Sequence, residues 1–191
     1  MNTSHDDRDV LMILTDEHRE IQHMLGMLTD AGIGDARNLT ALVDEVVIEL
    51  ARHLSATERC LHPALRHDVS DGAALAERQD ADNDQVRHWM KAVTGRDPAD
   101  AEFAPALAEL MTAIRAHIAD EERDVFPKVS AACTPEQLRH LGVSAAAVER
   151  TAPTRPHPSA PHRPPMNAVT EPALGLIDKA RDHFDHRGSD R

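Results

Sequence analysis

The chain has 191 residues, 41% of them hydrophobic, enough for one domain with a sizeable core. Its 21 Lys and Arg stand against 33 Asp and Glu, a net charge of -12 with no basic stripe, which argues against a nucleic-acid partner. Four aromatic residues and no Tyr accompany 13 His, and sparse aromatic and β-branched residues beside many Ala and Leu argue against an all-β fold.

The amino terminus, Met1 to Asp9, is polar and acidic, unlike a signal peptide. The apolar runs, such as Val10 to Leu14, are too short to span a bilayer. Cys60 and Cys133 form no C-x-x-C or zinc-ribbon pattern. These features predict a cytoplasmic protein with reduced thiols and no membrane partner.

Helix A is predicted over about residues 7 to 30. Leu11, Leu14, His18, Ile21, Leu25 and Leu28 recur at alternating spacings of 3 and 4, the inward stripe of a bundle helix. Gly32 and Gly34 are the stop signal. Helix B covers about 38 to 67, with Leu39, Leu42, Val43, Val46, Leu50, His53, Thr57, Cys60, Leu61 and Ala64 inward. Asp71-Gly72 marks a break. Helix C covers about 72 to 94, with Val86, Trp89, Met90 and Val93 inward, and Gly95 closes it. Helix D covers about 102 to 131, with Leu107, Leu110, Ile114, His117, Glu121 and Val125 inward. Thr134-Pro135-Glu136-Gln137 is a capping box with Pro at the first helical position, opening a shorter helix E. The predicted architecture is an all-α, antiparallel up-down-up-down four-helix bundle with a short extra helix.

Composition shifts near residue 150. Residues 151 to 172 hold seven of the twelve Pro, an extended path, and residues 173 to 185 suit one short amphipathic helix. The predicted division is a bundle over 1–150 and a Pro-rich extension over 151–191.

Polar residues interrupt the apolar stripes at few places: His18, His53, His117 and Glu121. Stripes of one bundle face one interior, so these side chains should converge. A buried carboxylate costs several kcal/mol unless it is paired or bound to metal, and neutral imidazole is a good ligand. A His/Glu cluster inside a helical bundle is therefore a metal-site signature.

A repeat adds to this. His53-Leu-Ser-Ala-Thr-Glu-Arg-Cys-Leu-His-Pro63 and His117-Ile-Ala-Asp-Glu-Glu-Arg-Asp-Val-Phe-Pro127 share the pattern His-x4-Glu-Arg-x3-Pro at an offset of 64. Helices A and B thus look like a duplicate of C and D. The residue at i+4 from each His shares its face; at roughly 100° per residue, the one at i+5 points less directly inward. Aligning the halves sets His18 opposite Asn83, and Thr57 opposite Glu121. Glu58 and Glu122 are read as solvated or paired to Arg59 and Arg123, and His23, His62, His67, His88 and His140 as surface residues. Met12, Met24, Met27, Met90 and Met111 are read as core or near-core filler.

Glu17-His18-Arg19, His53-x3-Thr57-Glu58 and His117-x3-Glu121-Glu122 followed by Pro127 resemble the hemerythrin-like (HHE cation-binding) family over roughly residues 8 to 131. The resemblance implies an antiparallel four-helix bundle with a non-haem di-iron centre of histidines and two bridging carboxylates. It implies binding or sensing of dioxygen, nitric oxide or peroxide. Carried onto this chain, it makes His18, His53 and His117 ligands and Glu121 a bridging carboxylate. Glu122 is an alternate, and Glu58 a replacement for the carboxylate that Thr57 lacks. Asn83 stands where the family has a helix C histidine, with Asp82 or Gln79 as supplements. The expected cofactor is one or two iron ions. The alternative is a degenerate bundle without a functional di-iron centre, serving as a structural or interaction module. Peroxide disproportionation at the same site is a third reading, which Thr57 and Asn83 disfavour. No protein partner is named by the sequence.

Overall fold

A computed structural model describes residues 8–31 and 36–150. The predicted Pro-rich extension, its terminal helix, and the Gly32 and Gly34 stop lie outside the described residues. Those described are helical, with no strand among them.

The first arm of the bundle is α1 (Val10–Asp30). It begins later than predicted because Asp9, in an extended conformation, caps it by accepting from the Met12 N–H. The second arm is α2 (Ala36–Ala56), a π-helical turn (Thr57–Leu61) and α3 (His62–Asp68). The third is α4 (Gly72–Val93). The fourth is α5 (Phe103–Asp120), a second π turn (Glu121–Val125) and α6 (Phe126–Ala132). The predicted capping box is present at Thr134 and opens α7 (Pro135–Glu149). Gly142 lets α7 approach the start of α1: a Cβ there would lie 2.3 Å from the Arg8 carbonyl oxygen. Gly95, at φ 71°, follows α4 with backbone that favours glycine.

Helices B and D are each interrupted where the sequence pattern shows a continuous helix. The two π turns occupy equivalent places in the repeat and have one cause. Pro63 and Pro127 have no N–H to donate and crowd the carbonyl four residues back. The residue before each one donates five residues back instead, His62 to the Thr57 carbonyl and Phe126 to the Glu121 carbonyl.

Two apolar cores share the bundle. One gathers Leu25, Leu28, Leu39, Val43, Val93 and Phe103; the other gathers Val10, Leu14, Leu65, Leu75, Val129 and Leu138. Helix α1 runs from the second core to the first, α2 back, α4 forward again and α5 back, which fixes the antiparallel order. Each fully buried Leu or Val contributes about 1.5–3 kcal/mol. Between the cores lies a buried polar layer: His18 from α1; His53, Thr57, Glu58 and His62 from the second arm; Gln79, Asp80, Asn83 and Arg87 from α4; His117 and Glu121 from the fourth arm. Such a layer costs stability unless its groups satisfy one another or a ligand. Among the methionines, Met12 is exposed rather than near-core. His23, His67, His88 and His140 are exposed, as read; His62 is fully buried.

Candidate metal centre

His18, His53, His117 and Glu121 meet in the polar layer. His18 Nε2 lies 3.0 Å and His53 Nε2 3.2 Å from Glu121 Oε2. His117 Nε2 lies 3.4 Å from His53 Nε2 and 3.6 Å from Glu121 Oε1. The inward stripe of each helix delivers these groups, and Glu121 opens the second π turn one helical turn after His117.

The outer ring nitrogens are held by carboxylates. His18 Nδ1 lies 2.9 Å from Glu122 Oε1, and His53 Nδ1 lies 2.9 Å from Glu17 Oε2. These carboxylates place a proton on Nδ1 and leave the Nε2 lone pairs of neutral rings facing inward, the arrangement a metal-ligating histidine uses. Phe126 stacks on the His18 ring, with centroids 5.3 Å apart. The Nε2 lone pairs of His18 and His53 and the Glu121 carboxylate cannot satisfy one another without a proton or a cation, and the buried His117 Nδ1 has no hydrogen-bond partner. Ligands about 2.1 Å from a shared ion lie about 3.0–3.4 Å from each other, near the distances found. Glu121 Oε1 is buried without a hydrogen-bond partner. The donor set therefore fits a transition-metal cation. When bound, such an ion would supply Lewis-acid chemistry, and His18, His53, His117 and Glu121 would hold it.

Without a cation, the cluster satisfies itself by holding a proton. For His53, burial works to lower the pKa, but the Glu121 charge and the bonds to Glu121 and Glu17 outweigh it and push it up to about 10. Burial of His117, with further lowering by His53, His18 and His62, brings it down to about 4 against the pull of Glu121. Burial of Glu121 is outweighed by His117, His53 and the His18 bond, which hold it well below the usual carboxylate range. The raised His53 stabilises metal-free protein fully below its ordinary value of 6.5, and loses that contribution as pH rises through about 10. His53 must lose its proton to ligate. Cation uptake at neutral pH is therefore expected to release a proton, with affinity rising roughly tenfold per pH unit until His53 titrates. Calorimetry in buffers of different ionisation enthalpy checks this; pH-independent affinity between pH 6 and 8 would contradict it, by about two such decades.

Two other sequence candidates, Glu58 and Glu122, lie outside this cluster. Glu58 is 1% exposed, at i+5 from His53, where the π turn brings it inward. Its carboxylate takes both Arg87 nitrogens, at 2.5 and 2.7 Å, and Asn83 Nδ2 at 3.0 Å. Its partner is thus Arg87 rather than Arg59. Glu122 is 44% exposed and holds His18 rather than pairing with Arg123. The two contacts are repeat equivalents: Glu58 with Asn83 in one half, Glu122 with His18 in the other. Thr57 is buried, its hydroxyl donating to the Leu54 carbonyl. Of the two supplements, Gln79 donates to Asp120, and Asp82, not among the buried residues, has its pKa raised by burial and by nearby Asp120. Sequence reasoning assigned no role to Glu17, Arg87 or His62. The available signal for His62 was its repeat partner Phe126, an inward-facing aromatic.

Comparison with known proteins shows the family of the chain. The family model of the hemerythrin HHE cation binding domain matches residues 9–129, and the chain belongs to that family. An uncharacterized hemerythrin-like protein of Schizosaccharomyces pombe is 29% identical over 167 residues, covering 87% of this chain and 81% of its own. The crystal structure of a hemerythrin HHE cation binding domain-containing protein from Mycobacterium kansasii aligns with a TM-score of 0.65 and 24% identity. That alignment covers 74% of this chain and 85% of the mycobacterial one and shows the shared fold. No helix among the described residues is long and apolar enough to cross a membrane.

Proposed function

We propose that the protein is a non-haem iron protein that binds or senses dioxygen, nitric oxide or peroxide. Iron is held by His18, His53, His117 and Glu121. The observation that carries this reading is the convergence of three Nε2 atoms on one buried carboxylate, with the outer nitrogens of His18 and His53 held by Glu122 and Glu17. The setting proposed is the cytoplasm, with Cys60 and Cys133 as reduced thiols. Neither nucleic acid nor a membrane is a partner in this reading, and the ligand is a small molecule rather than a protein.

The experiment is anaerobic loading with Fe(II), followed by separate addition of nitric oxide, dioxygen and peroxide under optical and paramagnetic resonance detection. A new spectrum with at least one of the three, absent from the Glu121→Gln protein, is the expected result. No change with any of them, in protein that retains iron, would refute the gas or peroxide role. One observation favours the second reading, a bundle without a di-iron centre: Glu58, the spare carboxylate, is occupied by Arg87.

A further inference from the structure

The repeat places Arg59 opposite Arg123, and the two side chains have different fates. Arg123 is 75% exposed and donates to Asp120, three residues back on its own helix. Three residues before Arg59 stands Ala56, which offers no carboxylate. Arg59 is half-buried, and its Nη1 is a buried donor with no hydrogen-bond partner among the described residues. A guanidinium stays charged at any ordinary pH, so it cannot escape burial by losing a proton. Part of this cation has lost its water and gained nothing in return.

Arg59 also lines a cavity of about 640 Å³. One wall is the first π turn with α3, and the other is α7 with the Cys133-Thr134 link before it. That volume is in the range of small-molecule sites. Cys60, Pro63, Ala64 and Leu141 give the cavity an apolar lining. Gln137, at the α7 wall, accepts the Thr134 N–H on its Oε1, which leaves its NH2 group to donate.

The remaining charges narrow the class of ligand. Asp68 and Glu136 share the walls with Arg59. Asp68 is engaged, accepting from His67 Nδ1 at 2.8 Å and from the Cys133 thiol at 3.8 Å. Glu136 is exposed. Two carboxylates beside one guanidinium, in a chain of net charge -12, oppose a multiply charged anion such as phosphate. A single negative charge on an apolar body suits both the guanidinium and the lining.

We propose that this cavity binds a small organic monocarboxylate, with its carboxylate on the Arg59 guanidinium and its carbon body against Pro63, Ala64 and Leu141. The planar guanidinium fork matches a carboxylate, and part of its desolvation cost is already met in the folded protein, since Nη1 is buried and unbonded. The site shares no residue with the metal centre and does not rest on it.

The test is equilibrium dialysis of the full chain as purified, against naphthoate, its neutral isostere naphthamide, acetate and inorganic phosphate. Naphthoate is expected to bind saturably, at about one per chain and at least about tenfold tighter than the other three. Arg59→Met keeps an apolar stem and removes the charge; naphthoate affinity is expected to fall at least about tenfold, with helix content by circular dichroism unchanged. Ser144 lines the cavity from α7, so Ser144→Leu fills it without touching the charge and is expected to weaken naphthoate similarly. That variant carries the test if Arg59→Met does not fold. No saturable naphthoate binding by wild type would overturn the site. Naphthamide or phosphate bound as tightly as naphthoate would overturn the monocarboxylate class. Naphthoate affinity unchanged in folded Arg59→Met, or in Ser144→Leu, would place the binding elsewhere and overturn the proposal.

Discussion

Glu121→Gln is expected to weaken cation binding by at least about 100-fold, the largest effect of any single side chain in the layer. Its carboxylate is the one group near all three ligand imidazoles: 3.0 Å from His18 Nε2, 3.2 Å from His53 Nε2 and 3.6 Å from His117 Nε2. The amide keeps the shape but removes the negative charge and turns one acceptor into a donor. His53 then loses the main force that raises its pKa, so burial brings it down. Glu122→Gln is the control. That side chain is 44% exposed and touches the centre only through His18 Nδ1, so a loss of about tenfold is expected. Metal titrations of the two variants separate a ligand from a positioning residue. Equal losses in both would remove Glu121 from the centre.

Arg87→Met is expected to destabilise the protein by about 3–5 kcal/mol. Arg87 donates to both Glu58 oxygens, and both residues are buried. Removing the guanidinium leaves a carboxylate inside the bundle with Asn83 as its remaining donor on α4. The double variant Arg87→Met with Glu58→Leu removes both charges and is expected to recover most of the loss, because a buried ion pair is itself of little net benefit against apolar packing. Denaturant unfolding measures both. A single variant within about 1 kcal/mol of wild type would mean that the pair is solvated, not buried.

The bundle was legible because each long helix carries an apolar stripe of period 3.6, and the capping box at Thr134 names its own start. The centre was legible for a related reason. His18, His53, His117 and Glu121 interrupt those stripes, and an interruption is visible when the surrounding period is regular. What the period hides is the effect of the π turns. Each inserts one residue into the turn after a ligand histidine, so Glu58, at i+5, comes inside although ideal helical spacing points it aside. His62, immediately before Pro63, was misread as surface for the same reason. Arg87 was illegible because an Arg on a helix ordinarily reaches water, and here Glu58 across the bundle draws it in. Glu17 adjoins His18 in sequence but holds His53 on the neighbouring helix, a relation that spacing along one chain segment does not express.

Iron content tests the centre most directly. Protein expressed in iron-supplied cells and purified without chelators is assayed for bound metal, beside the triple variant His18→Ala, His53→Ala, His117→Ala. At least about one iron per wild-type chain, and almost none in the triple variant of the same helix content, is the result predicted. Wild-type protein that holds no iron, both as purified and after anaerobic Fe(II) loading, would contradict it.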